Sequence, residues 1–172
     1  MPETNKIAPS REQDFYISRT FDAPRSLVWK AWTEAERLAQ WWGPKGCKLT
    51  VERLDFRPGG IFLYAMDMQP GQTWWGRFAY REIEAPERLV FTTAFSDANG
   101  GVTRAPFSAD WPLEVLNVMT LTERDGKTAL TLHGGPINAT EAEQKMFEGM
   151  HASMQQGFTG TFDQLEAYLA GA

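Results

Sequence analysis

The feature that most constrains this chain lies near its end. Met146, Phe147, Met150, Met154, Phe158, Phe162, Leu165 and Leu169 recur mostly at spacings of three and four, so they share one face of a helix. Thr140 and Glu143 form a Thr-x-x-Glu capping box ahead of them. The pattern predicts one uninterrupted helix from Thr140 to Leu169, roughly 45 Å long at 1.5 Å per residue. An apolar stripe of that length needs a partner surface, and a sheet is the only one the rest of the sequence offers.

The preceding residues supply that sheet. Phe15, Ile17, Arg19 and Phe21 alternate with Tyr16, Ser18 and Thr20, which reads as a strand. Asp22-Ala23-Pro24 then opens a short helix with Asp22 or Ala23 at the cap and Pro24 in the first turn. Thr33 and Glu36 suggest a capping box for a second short helix, which Gly43-Pro44 ends. Strands follow at Lys48–Phe56 with a bulge near Arg53, then Ile61–Met68, Thr73–Glu84 and Leu89–Ser96. Asp97 to Pro112 reads as a long loop, and Asp125-Gly126 as the turn of a hairpin joining Leu113–Thr122 to Thr128–His133. The fold class is α+β: a curved antiparallel sheet of about six to seven strands around a long C-terminal helix, with two short helices after the first strand. A meander curled around one helix can leave a space between the two. Residues 1–13 lack any period and are expected to be a flexible tail, with a single domain from 14 to 172.

Composition narrows the function classes. The net charge is −5, with no Lys/Arg cluster, which argues against nucleic acid and anionic membranes as partners. There is one cysteine, Cys47, so no internal disulfide forms. Met1 to Asp14 lacks the apolar core of a signal peptide, and no apolar run approaches the ~20 residues that span a bilayer. A cytoplasmic location is expected. The two histidines, His133 and His151, are far apart with no clustered Cys or carboxylate, so neither a metal site nor a cofactor is expected.

A set of short motifs carries a resemblance. Arg19 to Pro24 reads RTFDAP, Val28-Trp29 follows, then Trp41-Trp42-Gly43-Pro44 and Asp55 to Gly60, DFRPGG. Gly76 to Phe91 reads GRFAYREIEAPERLVF, and Phe158 to Leu169 reads FTGTFDQLEAYL. Taken together, in order and spacing, they resemble the START-like (SRPBCC) superfamily, and within it the homologues of the activator of heat-shock-protein-90 ATPase. The resemblance implies the helix-grip fold, a hydrophobic cavity between sheet and C-terminal helix, and binding of a small molecule. It carries no catalytic set, because relatives range from carriers to cyclases to co-chaperones.

The candidate lining residues are Trp41, Tyr64, Met66, Trp75, Met119, Met150, His151 and Met154. The strand from Ile61 to Met68 is apolar on both faces, which favours Tyr64 and Met66. Trp74 and Trp75 are adjacent on a strand and point to opposite faces; one of the two should face inward. The methionines offer soft, adaptable surface, with plain core packing as the alternative account. His151 lies on the helical stripe among Phe147, Met154 and Phe158, where it can anchor a polar group or carry a proton, or hydrogen-bond a carbonyl at the core's edge. Phe107 and Trp111, in the long loop, suit a lid. Gly149, Gly157 and Gly160 fall inside the predicted helix, which points to close packing or to room for a ligand.

Three functions remain open. The first is a container for an apolar or amphipathic small molecule. The second is a cyclase- or hydrolase-like enzyme using His151 or a cavity carboxylate, with Asp55, Asp67, Glu82 and Asp110 as candidates. The third is a co-chaperone-like regulator of an ATPase. A homodimer is compatible with each.

Overall fold

The computed structural model describes residues 14–172; the expected tail of residues 1–13 lies outside them. The chain runs β1 (Phe15–Phe21), α1 (Arg25–Thr33), α2 (Ala35–Trp41), β2 (Lys48–Leu54), β3 (Ile61–Gln69), β4 (Gln72–Glu84), β5 (Arg88–Ser96), β6 (Val102–Thr103), β7 (Val115–Arg124), β8 (Lys127–Pro136), α3 (Glu141–Gly149) and α4 (His151–Gly171). The strands form one eight-stranded sheet in the order β1-β8-β7-β5-β4-β3-β2, with β6 paired to β5. Every pairing is antiparallel, the first strand closing against the last. The two-residue β6, inside the predicted loop, is the strand the sequence pattern lacked.

Turn chemistry and bulges shape the sheet. Asp125 and Gly126 take φ of 55° and 77°, the left-handed pair that matches the twist of a two-residue hairpin. Register shifts fall between Val51 and Arg53, Asp67 and Gln69, and Tyr80 and Glu82. Each such bulge bends and further twists its strand, so the sheet is concave toward the helices.

The concave face holds the core. Phe62, Phe78, Phe91, Met119 and Leu130 are almost fully buried there, beneath Trp32 and Leu38 of the short helices and Phe162 and Leu165 of α4. Specific polar ties hold α4 in place. Thr161 Oγ1 and Gln164 Nε2 each donate to the Gly43 carbonyl at 2.9 Å. Arg19 of β1 donates to Asp163 at 2.7 Å and to Glu166 at 2.5 Å.

Three local expectations are corrected. The C-terminal helix is not uninterrupted: it breaks between Gly149 and His151, where Met150 takes φ −98° and ψ 4°. Gly149 gives the preceding turn little helical preference, and the break keeps the phase of the apolar stripe. The Thr140–Glu143 capping box does form, with Glu143 N–H donating to Thr140 Oγ1 at 3.1 Å and Thr140 N–H to Glu143 Oε1 at 3.0 Å. The Thr33–Glu36 box does not. Thr33 is the last residue of α1 and its hydroxyl donates back to the Trp29 carbonyl at 2.9 Å, while extended Glu34 takes the cap position. At α1 the cap is Pro24 itself, without a side-chain hydrogen bond, rather than Asp22 or Ala23.

Candidate functional site

Strands β3, β4, β5 and β7 face α4 across a gap at one end of the concave surface. The gap has an inner lobe of about 240 Å³ and a more open outer lobe of about 380 Å³. Both are bordered by Trp42, Tyr64, Met66, Trp111, Met154 and Phe158, so they are two parts of one space. Gly76, Phe91, Thr93 and Asn117 extend the inner lobe, and Phe107, Met150 and Gly157 the outer. No charged side chain lines either lobe among the described residues.

The floor depends on one glycine. A Cβ added at Gly76 would lie 2.6 Å from both Cζ and the hydroxyl of Tyr64. The missing side chain therefore lets the tyrosine lie flat across β4. Tyr64 is 6% exposed, and its ring stands edge-on to the Trp42 indole at 6.4 Å between centroids. Burial is the largest influence on this phenol, and it is pushed up to about 12. Across the floor, Asn117 donates one amide proton to Thr93 Oγ1 at 3.2 Å and the other to the Val115 carbonyl at 3.1 Å.

The predicted residues divide. Tyr64, Met66 and Met154 border both lobes and Met150 the outer one. Trp41 does not: the period of α2 turns it into the core, where it is 1% exposed and donates to the Ala31 carbonyl at 2.9 Å. Trp42, beyond the helix end and extended, takes the wall position instead. Of the adjacent pair, Trp74 faces inward. It is paired with Met66 and touches the Phe95 and Phe107 rings, whereas Trp75, paired with Ala65, lies on the opposite face. Met119 shares the concave face but is fully buried at the closed end, paired with Leu89 and Leu132. His151 starts α4 with its ring against Phe15 at 5.7 Å and Phe147 at 5.2 Å, and its Nε2 is buried with no hydrogen-bond partner among the described residues. It borders neither lobe.

Sequence reasoning missed Gly76, Phe91, Thr93, Phe95 and Asn117 as lining residues. The signal for Asn117 was present: a lone amide at an inward position of the β7 alternation, between Val115 and Met119. That for Gly76 was absent, because only the register places it beside Tyr64.

The candidate acids lie elsewhere. Asp55 accepts both contacts from its neighbour Arg57 at 3.0 and 2.9 Å, Asp67 accepts from Thr73 at 3.1 Å, and Glu82 pairs with Arg88 at 3.0 Å. Asp110 is exposed. Cys47 is half-buried, and burial, aided by Asp67, pushes its thiol up, away from the reactive thiolate.

The loop before β7 crosses the open end. Phe107 packs on Trp74 and Phe95, and Trp111 on Phe147 of α3. Arg104 ties the loop down, donating to Glu143 at 2.5 Å and to the Trp111 carbonyl at 3.3 Å. The Arg104 hydrogen bond, followed by the Thr140 N–H, holds the Glu143 carboxyl below its usual range.

Comparisons with known proteins agree with this architecture. Protein Ms6760 from Mycobacterium smegmatis is 26% identical, with a TM-score of 0.73 over 94% of this chain and 97% of that one. A protein from Arthrobacter aurescens, solved in solution, is 26% identical, with a TM-score of 0.76 over 96% of this chain and 92% of that one. The AHSA1 protein from Silicibacter pomeroyi, 21% identical over 91% of this chain and 97% of that one, shares the fold at a TM-score of 0.69. No curated protein matches. The family model of the Activator of Hsp90 ATPase homolog 1-like proteins matches residues 22–170, most of the sequence, and the chain belongs to that family.

Proposed function

We propose that this protein is a cytoplasmic container for a small, largely apolar molecule, held between the sheet and α4. The observation that carries the reading is the space bordered by Trp42, Tyr64, Met66, Trp111, Met154 and Phe158. Its lobes fall in or just below the ~300–1,000 Å³ range of small-molecule sites, and its lining has their usual make-up of aromatic walls with a few polar groups. The enzymatic alternative needs an ionisable group at the space. Of the described residues bordering it, only Tyr64 titrates, and burial favours its neutral form.

Native mass spectrometry of the freshly purified protein tests the proposal. A bound small-molecule mass should be present in wild type and reduced in Met154→Trp, where the larger side chain intrudes on the space from a position bordering both lobes. Met154→Trp should keep the wild-type circular dichroism. A wild-type protein that binds no apolar compound, co-purified or added, would remove the basis for the reading.

A further inference from the structure

The polar groups bordering the space differ in what they have left to offer. Both amide protons of Asn117 are taken by the wall, by Thr93 Oγ1 and the Val115 carbonyl. Thr161 Oγ1 donates to the Gly43 carbonyl. Thr93 and Trp111 are half-buried, and Ser153 is exposed. Tyr64 is as deeply buried as Thr161 and, unlike it, borders both lobes. Its hydroxyl makes no side-chain hydrogen bond as a donor among the described residues. A hydroxyl proton open to an apolar space can be hydrogen-bonded by a ligand oxygen that enters it.

The lining also lacks charge. With no Lys, Arg or His among the described residues that border either lobe, a buried carboxylate or phosphate would lose its water and gain no cation there. An ammonium would meet no carboxylate. A neutral carbonyl or ether oxygen needs one donor, and the Tyr64 hydroxyl, at the wall shared by both lobes, can be that donor. The flat placement of that donor depends on Gly76, so the glycine and the tyrosine form one unit.

Building on the container reading above, we infer that Tyr64 is the specificity-determining residue of this space: its hydroxyl donates to an oxygen of an uncharged ligand, so the protein takes neutral apolar ketones, esters or ethers and rejects their carboxylate counterparts.

Three compounds of one skeleton test this: 2-acetylnaphthalene, 2-isopropylnaphthalene and 2-naphthoate, each competed against the fluorescent ketone Prodan. Wild type should bind the ketone at least about tenfold more tightly than the carboxylate. Tyr64→Phe should weaken the ketone about fivefold, the factor for one hydrogen bond. It should leave 2-isopropylnaphthalene unchanged, which shows that the space itself survives the substitution. Prodan emission should move to the blue in Tyr64→Phe, because its carbonyl loses a donor. Equal ketone affinity and equal Prodan emission in the two proteins would overturn the role of Tyr64 while leaving the container reading intact. Carboxylate binding as tight as ketone binding would overturn the preference for neutral ligands. Failure of both neutral compounds and Prodan to bind wild type would sink this inference and the container reading together.

Discussion

At the scale of single residues, the unit that organises the site is Gly76 with Tyr64. The Cβ of an alanine at position 76 would overlap the tyrosine ring at 2.6 Å, a distance real side chains avoid. Gly76→Ala should therefore destabilise the fold by about 1–3 kcal/mol, the range for overpacking. In a Tyr64→Leu background the same substitution should cost much less, because the ring it meets is gone. A double-mutant cycle by urea unfolding reads this coupling, and additive effects would show that Gly76 has another role. The phenol gives a second prediction. Its ordinary value is 10.0, and burial raises it to about 12 in the fold. Between those values the native state holds more protons than the unfolded state, so stability falls as pH rises through that window and is flat below it. Tyr64→Phe should reduce the slope of unfolding free energy against pH from pH 10 to pH 12 and leave it unchanged at pH 7–9. A slope equal to wild type would contradict the buried neutral phenol.

At the scale of elements, periodicity made most of the fold legible. Alternation and short apolar runs located every strand except β6, and Asp125-Gly126 located the last hairpin. The bulge near Arg53 was visible as a slip in the pattern, because a bulge moves every later side chain to the other face. What periodicity could not show was the break at Met150, since the stripe keeps its phase across it, or which of Trp74 and Trp75 faces inward. That choice follows from the pairing of Met66 with Trp74, a long-range fact that no local window holds. Nor does the expectation of close packing hold for two of the α4-region glycines. An added Cβ meets nothing within 4 Å at Gly149 or Gly157, and at Gly160 only the Lys45 Cβ at 3.9 Å. Gly157 borders the outer lobe, where the helix gives up propensity and the site gains open space. Gly157→Ala should then stabilise the protein by about 1 kcal/mol, the alanine–glycine difference in a helix interior. Urea unfolding of the variant is the measurement, and a lower midpoint than wild type would mean that the glycine has a backbone role the structure does not display.

At the scale of the whole molecule, the two ends of the concave face differ in how they are held. The closed end stacks Trp32, Leu38, Leu89, Met119, Leu130 and Phe162, all almost fully buried. The open end has the two lobes, half-buried Trp111 and Met154, and Phe107 at 47% exposure. Its cover consists of the loop before β7 and α3, joined by Arg104 to Glu143 and by Trp111 to Phe147, and α3 joins α4 through the break at Met150. Few buried contacts and a helix break are the conditions for local opening at a free energy well below global unfolding. Native-state hydrogen exchange should show residues 104–112 and 141–149 opening together, ahead of β5, β7, β8 and the second half of α4. Arg104→Ala removes the tie from loop to helix, so it should speed exchange in both segments while leaving the closed end unchanged. An apolar ligand in the lobes touches Trp111, Phe107 and Met150, and should slow exchange in the same two segments by binding only the closed form. Exchange that is uniform across the molecule, or an Arg104→Ala effect confined to the loop, would show that the loop and α3 do not act as one cover.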